Sequence, residues 1–153
     1  MGASSFSQLY IHLVFSPHLH CPVKTINHQE QIFKFTAGLL NSMGHKSLAV
    51  NGMYDHIHIF FGLKPSMSIS DVVKEVKRSS TNFIKQEFQY SKFSWQEGYG
   101  AFSYSRSHIS NVVNYIINQK EHHKKKTFRE EYIELLEDFQ IEYDLKYLFD
   151  FFD

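Results

Sequence analysis

The order in which hydrophobic spacing changes along this chain constrains its fold more than any single residue. Leu9, Ile11, Leu13 and Phe15 recur at every second position, the period of a strand covered on one face. Pro17 and Pro22 mark the loop that follows. Ile32, Phe35, Leu39 and Met43 then recur at helical spacing, with Asn27 and Glu30 as a capping box before them and Gly44 as the stop. A strand is expected at about 47–51, with Gly52 turning the chain into another at about 54–63, which Pro65 ends. A second helix runs from a Ser68–Asp71 cap to about Phe88, with Val73, Val76, Phe83 and Ile84 as its apolar stripe. Its exposed side carries Lys74, Lys77, Arg78 and Lys85. A strand near 101–105, a helix over about 108–123 capped by Ser107, and a helix over about 128–139 complete the pattern. The order β-α-β-β-α-β followed by helices predicts an α+β fold of the split βαβ, ferredoxin-like type. It has an antiparallel sheet with two helices on one face and further helices at the C-terminal end. Such a fold hosts enzymes, RNA binders and metal chaperones, so function has to be read from particular residues.

Composition narrows the class. The 153 residues correspond to one domain, 1–153, by the rough rule of about 150 residues each. A hydrophobic fraction of 42% excludes a disordered chain, and the single cysteine, Cys21, excludes a disulfide framework. No apolar run reaches the roughly 18 residues of a membrane span. The start, MGASSFSQLY, lacks the basic-then-apolar pattern of a secretory signal, so the expected compartment is the cytoplasm. The formal net charge of zero is a cancellation. Residues 1–129 hold 15 Lys and Arg against 7 Asp and Glu, whereas the tail from about 130 holds 1 against 9. A basic body suits a polyanion, and it is also what an ordinary solvated surface looks like.

Two clusters carry chemistry. In Asp55-His56-Ile57-His58-Ile59-Phe60, strand geometry sends His56 and His58 to one face and the isoleucines to the other. Two imidazoles side by side on a rigid strand form half of a metal site, or simply a solvent-facing pair. In the second cluster, Asn111 to His123, helical spacing puts Val112, Val113, Ile116 and Ile117 on the apolar side. Tyr115 and Gln119, four apart, lie together on its polar flank. A packed core tyrosine is the plain alternative. Combined, His56, His58 and an oxygen donor such as Gln119 can hold a divalent cation that polarises a phosphate oxygen, while Tyr115 attacks phosphorus. A phenol with an ordinary pKa of about 10 needs a positive field, which the cation, Lys120 or the Lys124-Lys125-Lys126 run can supply.

These residues resemble the single-tyrosine transposases of the HUH endonuclease superfamily, the short transposases of the smallest insertion sequences. Repeat-associated tyrosine transposases are relatives. The likeness covers about residues 7–150 in four blocks in order. They are Tyr10-Ile11-His12-Leu13-Val14-Phe15-Ser16, Tyr54-Asp55-His56-Ile57-His58, Trp95-Gln96-Glu97-Gly98-Tyr99-Gly100-Ala101-Phe102-Ser103, and Tyr115 to Lys124. The resemblance implies that Tyr115 is the nucleophile, leaving a 5′-phosphotyrosine and a free 3′-OH on single-stranded DNA. It implies that His56, His58 and Gln119 are the metal ligands, that the metal is Mg²⁺ or Mn²⁺, and that a homodimer recognises a DNA hairpin near the element end. Active sites shared between subunits, and association with the nucleoid during action, belong to the same expectation. Ligand softness alone points toward zinc.

Weaker readings attach to other residues. Lys124, Lys125, Lys126, Arg129, Lys77 and Arg78 are candidate DNA-backbone contacts. His12 faces away from Leu9, Ile11 and Leu13, toward the sheet face of the histidine pair or into packing. His122 and His123 touch phosphate or the metal's surroundings, or form a solvated helix end. Trp95, Tyr99 and Tyr104 stack on unpaired bases or pack in the core. Two other functional classes fit the same residues: a ferredoxin-like hairpin-DNA or RNA-binding module without catalysis, including one adopted by a host, and a small metal-binding protein.

Overall fold

Four strands form one antiparallel sheet in the order β2-β3-β1-β4, with β1 at Tyr10–Phe15, β2 at Lys46–Met53, β3 at His56–Gly62 and β4 at Gly100–Tyr104. The computed structural model describes residues 5–152; the outermost ends of the expected 1–153 domain lie outside the described residues. β1 pairs with both β3 and β4, which sets His12 beside Phe60 and Phe102, and Val14 beside His58 and Gly100. Helices α1 (Ile26–Ser42) and α2 (Ile69–Glu87) pack together on one face. There Ile11, Leu13 and Phe15 meet Ile32, Leu40, Val72, Val76 and Ile84 in the main core. The other face is covered by α3 (Ile109–Ile117), α4 (Gln119–His122) and α5 (Phe128–Asp138). Here Phe60 packs with Val112 and Ile116. The expected fold class is therefore the observed one, and both faces of β1 and β3 are buried.

Several local expectations are corrected. α1 starts at Ile26 after Thr25, not at Asn27, and no side chain caps it. Gly52 lies within β2, and the turn comes later, at Tyr54 and Asp55. Glycine is needed there because a Cβ at Gly52 would strike the His56 carbonyl across the hairpin. The cap on α2 is as expected, with Ser68 accepting from the Asp71 N–H at 3.1 Å.

The single helix expected over 108–123 is two helices, interrupted at Asn118 (φ −93°, ψ 28°). Asn51 on β2 explains the break. Its Nδ2 donates to the carbonyls of Ile116 and Ile117, both at 3.0 Å, which a continuous helix would commit to Lys120 and Glu121. The Glu121 N–H turns instead to the Asn118 carbonyl, which the His122 N–H also meets in ordinary helical register. α5 opens with a full capping box between Thr127 and Glu130.

Candidate metal and nucleophile site

Strand β3 presents His56 and His58 on the face covered by α3, α4 and α5, and both rings are fully buried. The pair is not solvent-facing. His56 Nδ1 lies 2.7 Å from the Asp55 carboxylate, and Phe128 stacks on its ring at 4.2 Å and 3°. His58 Nδ1 lies 2.7 Å from Nε2 of His12, which is also fully buried. His12 thus both packs in the sheet and supports the histidine site. Burial lowers the pKa of His12 and of His58, so both rings favour the neutral form.

The far side is supplied by the helices. Gln119, fully buried at the start of α4, sets Oε1 2.8 Å from His56 Nε2 and 3.0 Å from His123 Nε2. Its Nε2 donates to Glu131 Oε2 at 3.1 Å. The helix break at Asn118 does not part Gln119 from Tyr115: both reach the same carboxylate. Glu131 sets Oε1 3.1 Å from His58 Nε2, 3.4 Å from His56 Nε2 and 3.2 Å from His123 Nε2. Its Oε2 accepts the Tyr115 hydroxyl. The Tyr115 and His58 rings stand edge to face with centroids 5.7 Å apart.

The four residues singled out from sequence, His56, His58, Tyr115 and Gln119, therefore meet within one chain. Glu131, which the sequence places in the acidic tail, is a further member, and of the two readings of His123 the structure favours the one beside the histidine pair over the solvated helix end. His122 stays exposed, with its ring 4.7 Å from that of Tyr115.

Burial would raise the Glu131 carboxyl, but its close contacts with His58, His123 and His56 outweigh it and hold it well below the carboxylate range. Burial, and then the Glu131 charge, push the Tyr115 phenol well above its ordinary value. At rest the hydroxyl is thus held protonated. Ligand atoms of His56, His58 and Glu131 lie within 4.8 Å of one another. The donor set of imidazole nitrogens, a carboxylate and an amide oxygen, buried and prearranged, fits a divalent cation.

An open cleft leads to Tyr115 and Glu131 between His122, Lys126, Glu134 and Asp138. Lys126 pairs with Glu134, and Lys124 with Glu121 at 3.0 Å; Lys125 is exposed. Arg129 sits over the Phe151 ring at 4.6 Å, beside a second cleft that Lys126 and His123 also line. The basic residues after α4 therefore flank the site. Lys77 and Arg78 do not, since α2 lies across the sheet. Lys77, placed on an exposed side by its spacing, is half-buried under the 95–100 segment and donates to the carbonyls of Gln96 and Gly98 at 2.8 and 2.7 Å. Arg78 pairs with Glu75 one turn away. Trp95 packs against Phe15 and Phe93 and bonds Ser80, which makes it a core residue. Tyr104 is half-buried against Phe60 and Phe139, and Tyr99 is exposed.

Residues 5–119 match the protein family described as "Transposase IS200 like". Among solved structures, a candidate transposase from Deinococcus radiodurans R1 is similar, with a TM-score of 0.62 and 22% identity over 78% of this chain and 96% of that one. A REP-associated tyrosine transposase bound to a REP hairpin is similar with a TM-score of 0.57 and 13% identity, over 80% of this chain and 74% of that one. At these identities the two structures speak to the fold. No curated protein matches. The family match ends at Gln119, so His123, Glu131 and α5 lie beyond it.

Proposed function

The chain belongs to the IS200-like transposase family, and from that premise we propose that it cuts and rejoins single-stranded DNA at hairpin-bearing element ends, with Tyr115 as the nucleophile. The observation that carries this reading is the convergence of the Tyr115 hydroxyl, the His56–His58 pair and Gln119 around one buried carboxylate. The phenol oxygen forms a bond to phosphorus as the bond to the departing 3′ oxygen breaks, leaving a 5′-phosphotyrosine and a 3′-OH. The phenol proton leaves along its hydrogen bond to Glu131, and the departing oxygen takes a proton from water. A phosphotyrosine conserves the energy of the cut linkage, so the reverse attack by a 3′-OH rejoins the strand.

His56, His58 and Gln119, with Glu131 beside them, would hold the divalent cation, Mg²⁺ or Mn²⁺. When bound, it supplies Lewis-acid polarisation of a phosphate oxygen. Asp55 and His12 fix the orientations of the two rings. Lys124, Lys125, Lys126 and Arg129, flanking the clefts, would steer the DNA backbone. The hairpin-bound neighbour supports a hairpin as the DNA partner, and a homodimer is the assembly that goes with this reading. No helix among the described residues is long and apolar enough to cross a membrane, in keeping with a nucleoid substrate in the cytoplasm.

The test is incubation of the full chain with labelled hairpin-bearing single-stranded DNA and Mg²⁺ or Mn²⁺. A covalent adduct that survives denaturation is expected, and it is absent from Tyr115→Phe. Hairpin binding with no adduct under either metal would return the chain to the non-catalytic module. An undiminished adduct in Tyr115→Phe would remove Tyr115 from the role.

A further inference from the structure

His123 borders two clefts. One leads to Tyr115 and Glu131. The other, about 570 Å³ in volume, opens between the start of α1, the turn from β2 to β3, and α4. That volume lies within the roughly 300–1,000 Å³ of pockets that take small ligands. Its apolar lining is Ile26, Met53 and Tyr54, and its charged lining is Lys24, Lys120 and Lys124. Main-chain and amide hydrogen bonds tie the first two walls together. The Val23 N–H donates to the Tyr54 carbonyl at 3.1 Å, and Gln29 Nε2 donates to the Val23 carbonyl at 2.6 Å. Phe152, from the C-terminal tail, meets the Tyr54 ring nearly at right angles, with centroids 6.1 Å apart.

Neither half of this lining is used up in the core. Ile26 and Tyr54 remain 52% and 41% exposed, and neither joins a core cluster. Lys124 pairs with Glu121 on the surface, but among the described residues no carboxylate pairs with Lys24 or Lys120. No acid among the described residues lines the cleft, in contrast to Glu134 and Asp138 beside Tyr115. Apolar and aromatic surface edged by ammonium groups is complementary to a nucleotide, whose base packs on the one while its phosphates meet the other. A duplex cannot use such a surface, because its bases are stacked on one another and offer only their edges. An unpaired nucleotide can.

We propose that this cleft is a subsite for an unpaired nucleotide of the DNA strand, next to the phosphate that Tyr115 attacks. The subsite rests on the single-strand cutting proposed above and adds a place where the protein itself reads the strand. Because His123 borders both clefts, a strand lying across it puts the scissile phosphate on one side and the neighbouring base on the other. The base lies against Tyr54, Met53 and Ile26, and Lys24 and Lys120 take the flanking phosphates.

The experiment uses the full chain with Tyr115→Phe, so that bound DNA stays uncut. Binding of hairpin-bearing DNA with single-stranded flanks is measured by fluorescence anisotropy, with each flank nucleotide replaced in turn by an abasic one. The series is repeated with Tyr54→Ala added. One position is expected at which losing the base weakens binding about 5- to 150-fold, and at that position the penalty falls below about threefold in Tyr54→Ala. Separately, Lys24→Gln and Lys120→Gln should each flatten the dependence of log affinity on log salt by about 0.7. Abasic penalties that are the same in both chains at every position overturn the subsite, and so does a salt slope unchanged by both lysine variants. The lysine arm does not depend on how Tyr54→Ala folds. Adduct formation by the wild type on the same DNA is scored in parallel. Adduct without coupling to Tyr54 removes the subsite and leaves the cutting function standing, whereas coupling without adduct keeps the base site and removes the cut.

Discussion

Asn51 gives the sharpest handle on how the fold positions the site, because it acts from a strand that carries no candidate catalytic residue. Its amide holds the carbonyls of Ile116 and Ile117 at 3.0 Å each, and so ends α3 between Tyr115 and Gln119. A net hydrogen bond contributes about 0.5–1.5 kcal/mol, and of these two one is partly buried and the other exposed, so Asn51→Ala should cost about 1–2 kcal/mol. For a domain of this size that is a fall in Tm of about 2–8 °C. Asn51→Asp should be worse than Asn51→Ala, because a carboxylate offers two carbonyls no proton and adds repulsion. With the carbonyls released, α3 can extend through Asn118, which rotates Gln119 away from His56. Mn²⁺ affinity and adduct yield should then fall by more than the stability loss alone explains. Differential scanning fluorimetry, calorimetry and the hairpin-DNA assay read the three effects. A Tm within 1 °C of wild type, or an Asn51→Asp variant as stable as Asn51→Ala, would refute this account of the break.

Other perturbations test separate parts of the argument. Gly52→Ala drives a Cβ into the His56 main chain, so it should cost about 2–4 kcal/mol by urea unfolding and weaken metal binding through β3. Glu131→Gln keeps the shape but removes the charge facing three imidazoles; Mn²⁺ affinity should fall at least about tenfold by calorimetry, with the far-UV spectrum unchanged. Lys77 has its ammonium pushed down to about 8 by burial, against an ordinary 10.5. Between those values the unfolded chain binds a proton that the folded chain has released. Its contribution is therefore greatest above 10.5 and is lost as pH falls through 8. The stability difference between wild type and Lys77→Met should shift toward the wild type from pH 7.5 to pH 10, and a flat or opposite trend in chemical unfolding would contradict it.

What could be read from sequence divides along the range of the interactions. The alternation at Leu9–Phe15 and His56–Ile59 is a property of one strand, so both the sheet faces and the shared direction of the histidines were legible. The Tyr115–Gln119 pairing survived for a different reason: although the helix breaks between them, both residues converge on Glu131. The break itself was hidden because its cause is a side chain 65 positions away on β2. The start of α1 differs because Asn27 and Glu30 fit a capping box by spacing, while the helix begins at Ile26, directly after its uncapped boundary at Thr25. Glu131 escaped notice as one acid among many in the tail. A signal was present nonetheless: Phe128, Glu131, Tyr132 and Leu136 are the buried residues of α5 at helical spacing, and an acid inside an apolar stripe needs a buried partner.

That placement changes what the cancelled charge means. A tail that merely offset a basic body would keep its carboxylates in solvent, where screening leaves each worth little. Instead the tail folds back. Glu131 is buried among three imidazoles, Glu134 pairs with Lys126 at the mouth of the cleft, and Asp150 is held through its main chain by both ends of the Gln96 amide, at 2.7 and 2.8 Å. Phe149 is buried against Phe128 and Tyr132, and Phe128 in turn covers His56. The same segment thus supplies a carboxylate to the site, the ring over one imidazole and an acidic lip beside Tyr115. Glu134 and Asp138 repel a DNA backbone that approaches along that cleft. Lys126, if released from Glu134 by an incoming phosphate, is the lysine lining this cleft that would answer it, beside His122 and His123. Exchange of that single ion pair makes DNA entry salt-dependent, and Glu134→Gln should raise the rate of adduct formation at low salt and lose that advantage as salt increases. A rate unchanged by Glu134→Gln at every ionic strength would mean that DNA reaches Tyr115 by another route.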